Sequence, residues 1–243
     1  MPAPQPQTRE FRAFLTNLEY ARKMIVAGQS LAAFQSPVID IGDFYRAAWV
    51  QAVSAIDHWF HEELYRRVAE LAAEDSPGMP YQLTKFELPL AKVEEVRRGT
   101  TTLADAVSEH VKAKWGNAAL QNPRKISEAL KLVTEEDIWA KTAVQLNEWN
   151  HGRTSMNAQT LKQKYNSITE RRNRIAHDAD LLDGDLKRRR PISDADVTDA
   201  IDWIERIALA IATVMGSGDL SGTVIAPTPP FEVDGSPDGN DGT

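Results

Sequence analysis

Between residues 40 and 74 the apolar side chains recur every three or four positions for eight turns. They are Ile41, Phe44, Ala48, Ala52, Ile56, Phe60 (or Trp59), Leu64, Val68 and Leu71. A 3.6-residue period held this long specifies an amphipathic helix, with Asp40 as its N-cap and Ser76-Pro77-Gly78-Met79-Pro80 as its stop. The rest of the chain repeats the pattern. Phe11, Phe14, Leu15, Leu18 and Ile25 predict a first helix over 9–27, closed off by Ser36-Pro37. Residues 81–99 are mixed, and Pro89 argues against a central strand or a helix interior there. Further helices are predicted over 102–115 behind a Thr cap and over 123–133 from Asn122-Pro123. Another is predicted over 135–149, opened by a capping box at Thr134-Glu135-Glu136-Asp137. Gly152 separates it from a helix over 155–180. Ser193-Asp194-Ala195-Asp196 then opens a final amphipathic helix with Val197, Ile201, Ile204, Ala208, Ile211 and Met215 on its apolar face. The predicted class is all-α: a single helical domain over 9–216, a disordered N-terminus over 1–8, and a disordered acidic tail over 217–243 rich in Gly, Pro, Asp, Ser and Thr.

Composition narrows the setting. With 243 residues the chain can bury a sizeable core, and no apolar run approaches a bilayer span. It has no cysteine, which excludes disulfides and Cys-based zinc sites. Met1–Thr8 has neither a basic segment nor an apolar one, so it is not read as a secretory signal, and a cytoplasmic protein is the expectation. The net charge of −7 argues against a polyanionic partner only until it is divided along the chain. Five acidic residues and no basic ones lie in 217–243, whereas 162–190 holds nine basic against five acidic residues. Local field, not overall charge, guides a polyanion.

Chemistry concentrates in Arg172-Asn173-Arg174-Ile175-Ala176-His177. Leu161, Tyr165, Ile168, Arg172, Ile175 and Ala179 form the predicted inward stripe of the helix, so Arg172 stands where the pattern wants a hydrophobe. A guanidinium there needs a carboxylate or a phosphate as partner. Asn173 and His177 share one face at i,i+4. His177 titrates near neutrality, and Arg172 presents a planar fork matched to phosphate oxygens. In the alternative reading, Arg172 pairs with a core carboxylate and His177 only caps its helix. Arg171 and Arg174 are read as solvated or RNA-backbone contacts. Lys187-Arg188-Arg189-Arg190 is either a solvated loop or a phosphate-contacting one. Asp57 and His61, i,i+4 on the second helix, are supporting candidates. Asp57 could pair with Arg172 or orient His177. His58-Trp59-Phe60-His61-Glu62 does not follow the order of a zinc-protease motif, so no metal is expected there. Asp180, Asp183 and Asp185 read as a turn, and the six tryptophans as core.

The Arg172-Asn173-x3-His177 run resembles the Arg-x4–6-His signature of the HEPN superfamily, and the surrounding chain resembles its RiboL-PSP branch. The residues carrying this likeness are Tyr45-x3-Trp49, Ala55-Ile56-Asp57 with Phe60-His61-Glu62, Asn122-Pro123-x2-Ile126 with Ala129-Leu130, and Ile138-Trp139. The likeness runs over about 40–216, with the N-terminal helix as an addition. It implies a HEPN-like bundle and a metal-independent endoribonuclease without a cofactor, whose Arg172 and His177 line a cleft shared by a homodimer. In that chemistry the RNA supplies its own 2′-OH nucleophile. His177 is general acid or base, Arg172 stabilises the phosphorane, and Asn173 assists. The same likeness suggests bacterial defence or toxin–antitoxin conflict, with an antitoxin or defence-system partner. The alternative is a non-catalytic module of the same kind that binds RNA, nucleotide or a protein.

Overall fold

The computed structural model describes residues 6, 8–34, 40–73 and 78–216. Among these residues the regular elements are nine helices: α1 (Arg9–Ala32), α2 (Ile41–Leu71), α3 (Tyr81–Thr84), α4 (Leu90–Arg97), α5 (Leu103–Trp115), α6 (Pro123–Leu130), α7 (Ile138–Trp149), α8 (Ala158–His177) and α9 (Asp194–Val214). The single β feature among them is an isolated bridge, Leu181 to Arg189. The all-α class follows. The acidic tail over 217–243 and most of the first eight residues lie outside the described residues. Pro6 and Thr8 are the exceptions, and the Thr8 hydroxyl accepts from Phe11 N and caps α1.

Short polar side chains set the helix starts, because the first backbone N–H groups of a helix need acceptors. Asp40, Thr102 and Asn122 accept from Gly42, Asp105 and Arg124 as their sequence positions predict. Ser193 and Asp196 form a reciprocal capping box at α9. At α7 the prediction is corrected. Asp137, not Thr134, is the cap, accepting from Trp139 N and Ala140 N at 3.2 Å each, so the helix begins three residues later. Asp137 prevails because one carboxylate oxygen satisfies two orphan donors, whereas the Thr134 hydroxyl meets only Glu136 N. Residues 81–99 carry two short helices, each preceded by a proline with no N–H to leave unsatisfied.

The long helix α2 packs against α1, α5, α8 and α9. This explains why Trp59 and Phe60 are both buried rather than alternatives. On α1, Phe11 and Phe14 each bring their rings to 5.7 Å from Trp59. At the far end of that contact Gly28 allows a close approach, since a Cβ there would lie 2.9 Å from the Tyr45 ring. The predicted amphipathic α9 proves more enclosed than its pattern suggests. It touches α1, α2, α7 and α8, and every residue from Trp203 to Ala212 except Glu205 is buried. Small residues at 200, 208, 210 and 212 let four neighbours approach it at once. Trp49 Nε1 donates to Ile168 O at 2.9 Å, fixing the middle of α8 to the first third of α2. No helix among the described residues is long and apolar enough to cross a membrane.

Candidate functional site

The inner face of α8 is buried at Leu161, Tyr165, Ile168 and Thr169, and then the burial stops. Arg172 and Ile175 are half-buried, and Ala179 is exposed and outside the helix. The predicted inward stripe is thus corrected over its last two turns, which run past the supporting core. The helix ends at His177, not at 180. Asp178 N and Asp180 N both donate to Arg174 O, at 2.9 and 3.0 Å, while Ala179 and Asp180 take left-handed backbone angles, φ 49° and 59°. Two successive left-handed residues that are not glycine store strain of roughly 1–2 kcal/mol each, which the surroundings must offset.

Asp180 shows what offsets it. Its carboxylate is fully buried, and Oδ2 accepts from Arg46 Nε at 3.0 Å and from Arg171 Nη2 at 2.7 Å. The same guanidiniums reach across to the chain before α9: Arg46 Nη2 donates to Arg190 O at 2.8 Å, and Arg171 Nη2 to Pro191 O at 3.0 Å. Burial lowers the Arg171 pKa, the Asp180 charge opposes that, and nearby Arg174, Arg46 and Arg190 add to the lowering. Arg171, expected as a solvated or RNA-backbone contact, is half-buried and paired with Asp180 instead of standing free in solvent. Asp180 is more than a turn residue, because it ties α2, α8 and the 181–192 segment together. Arg46 was missed by sequence reading. Its only signal was a charge at the second-helix position between Tyr45 and Ala48, both of them buried.

The basic loop is likewise occupied. Leu182 N donates to Arg188 O and Arg190 N to Asp180 O, folding 181–190 back on itself. Arg188 pairs with Asp185 at 2.5 Å and Arg190 with Asp183 at 2.7 Å. Arg189 pairs with Asp43 and lies 3.7 Å from Asp40. Asp183 and Asp185 titrate below the usual aspartate value, chiefly through the hydrogen bonds from Arg190 and Arg188 respectively. Three of the four cations in this loop thus meet carboxylates of the chain itself. Lys187 makes no ion pair among the described residues.

Arg172 is the contrast. It makes no ion pair among the described residues, and its one hydrogen bond runs from Nη1 to Asn173 Oδ1 at 3.1 Å. Its Nε is buried without a partner, as is that of Arg174. Asn173 and His177 are exposed one turn apart on the same face, and the His177 side chain has no hydrogen bond among the described residues. Arg172 and His177 differ by about 140° around the helix axis, so one chain presents them to adjoining directions. The supporting pair is corrected. Asp57 does not reach Arg172. Its Oδ2 accepts from Gln121 at 3.4 Å, and its charge, with burial the larger cause, raises the Tyr165 hydroxyl pKa. Tyr165 lies seven residues before Arg172, about 10 Å along the helix. His61 bonds the Tyr65 hydroxyl at 3.2 Å and Ala118 O at 2.9 Å and holds the α2–α5 corner. Compared with family models, curated proteins and solved structures, the chain matches none.

Proposed function

We propose that this protein is a metal-independent endoribonuclease of the HEPN type, acting as a homodimer whose two α8 ends line one cleft. The observation that carries the reading is the state of Arg172: half-buried, on helix turns that run past the core, and without a carboxylate. The packing alternative requires a core carboxylate for this guanidinium, and the nearest candidate from sequence, Asp57, is engaged elsewhere. A scissile phosphate is the partner whose geometry fits the unused fork. Hydrogen-bonded to Arg172, Asn173 fixes the plane of the guanidinium. His177, open to solvent, can take the 2′-OH proton or protonate the departing 5′-oxygen. The 2′-oxygen then bonds to phosphorus as the P–O5′ bond breaks, leaving a 2′,3′-cyclic phosphate and a 5′-OH. A second chain supplies the second Arg172 and His177, which brings the diverging groups of one helix to a common point. An antitoxin or defence-system partner would cover this cleft. The test is incubation of the purified protein with total RNA in EDTA beside a His177→Ala control. Cleavage in EDTA that the variant lacks supports the reading. Cleavage that returns only with added manganese or magnesium refutes it.

A further inference from the structure

A cavity of about 440 Å³ lies away from α8, between the α3 turn, the end of α5 and the end of α6. Its volume falls within the range of small-molecule sites, roughly 300–1,000 Å³. Two aromatic side chains form part of its wall: Phe86, whose ring packs edge-on against His110 at 5.5 Å, and Trp115. The Trp115 indole nitrogen is buried and donates to nothing. Three lysines, Lys85, Lys114 and Lys131, stand around the same space, and none makes an ion pair among the described residues. Two of them lie over aromatic rings instead, Lys85 at 4.1 Å from the Tyr81 centroid and Lys114 at 5.1 Å from the Phe86 centroid. The lining also carries Glu128, engaged by Arg124 and Lys125 from outside, and Glu87. Cations therefore outnumber unengaged carboxylates three to one around an aromatic wall.

We propose that this cavity binds a nucleoside phosphate, with the base against the Phe86 and Trp115 wall and the phosphate among Lys85, Lys114 and Lys131. Aromatic faces accept any base by stacking, and unengaged ammonium groups supply the charge for phosphate. The basic loop at 187–190 lacks this combination, since its arginines are already paired. The proposal does not depend on RNA cleavage. The bound group can be a free mononucleotide or one nucleotide of an RNA strand, and the two share this chemistry.

Calorimetric titration of the full chain with AMP, adenosine, ribose 5-phosphate and a 2′-O-methyl tetra-adenylate tests it. AMP should bind at least about tenfold more tightly than adenosine or ribose 5-phosphate, because each lacks one half of the recognition. The double variant Lys114→Gln/Lys131→Gln, both exposed positions, should lose about tenfold or more in AMP affinity with an unchanged melting temperature. Tetra-adenylate binding more tightly than AMP identifies an RNA strand as the source, and equal or weaker binding identifies a free nucleotide. Absence of binding by both, an unchanged affinity in the double lysine variant, or loss of AMP binding in Arg172→Ala overturns the proposal.

Discussion

Arg171 and Arg172 are neighbours in sequence and meet opposite surroundings. One points into the junction of α2, α8 and the 181–192 segment, where the buried Asp180 carboxylate and two backbone carbonyls take its donors. The other stands on the adjacent side of the helix, with a single bond to the side chain next to it. The ~100° step between successive helical residues turns one guanidinium into scaffold and leaves its neighbour open to a ligand. The same division separates the loop arginines at 188–190, each held by an aspartate, from Arg172. A cation's availability is set by whether a carboxylate reaches it. The density of arginines along the chain does not decide it.

The largest consequence falls on cleavage. In the proposed mechanism His177→Ala removes the exposed proton-transfer group, so RNA cutting should fall by about 10²–10⁴ while melting temperature and RNA affinity stay close to wild type. Arg172→Ala should lose cleavage similarly with some loss of affinity, and Arg172→Lys should rescue poorly because a point charge lacks the planar fork. Stable variants that cut RNA as fast as wild type would remove the functional side of the contrast.

The scaffold side should respond in the opposite way. Asp180→Ala strips the carboxylate from two buried guanidiniums, a loss on the order of 3–5 kcal/mol when one partner of a buried pair is removed. At roughly 2–4 °C per kcal/mol for a chain of this size, melting should fall by about 6–20 °C, which differential scanning calorimetry will read. Arg171→Ala should cost less, about 1–3 kcal/mol, since Arg46 still engages Asp180. If Arg171→Ala instead left stability untouched and weakened RNA binding, Arg171 would move to the functional side.

The exposed loop pairs should matter least to stability. Arg188→Ala removes a solvent-exposed partner of Asp185 and should leave the melting temperature close to wild type. A pH titration reads the same pairing another way. Asp183 and Asp185 have lowered folded pKa values, so their contribution is present above the ordinary aspartate value and is lost as pH falls through the folded value. Carboxyl-carbon NMR should place both below the ordinary aspartate value of about 3.9, and Arg188→Ala should return Asp185 toward it. Ordinary titration of Asp185 in the wild type would mean that its arginine is free for phosphate after all.

Local signals carried the helices. Apolar period, the caps at Asp40, Thr102, Asn122 and Ser193, and the proline at 123 act within a few residues, so they are legible in a string of letters, whereas α3 and α4 behind Pro80 and Pro89 were not read as helices. The run from Arg172 to His177 was legible too, because residue type and i,i+4 spacing place Asn173 and His177 on one helical face. Which arginine would be buried was not. Arg46 and Asp180 lie 134 residues apart, and nothing local to either specifies the other. Asp57 failed as a partner for Arg172 for the same reason: the register of α2 against α8 sets it beside Tyr165. That register comes from packing and from the Trp49 bond to Ile168 O. The enclosure of α9 also depends on how many neighbours close around its small residues. Sequence alone determined the all-α class, most of the helices and four of their caps, and it placed Asn173 and His177 on one helix face. Tertiary structure decided which charges are neutralised, because ion pairing depends on distances between segments that no local pattern encodes.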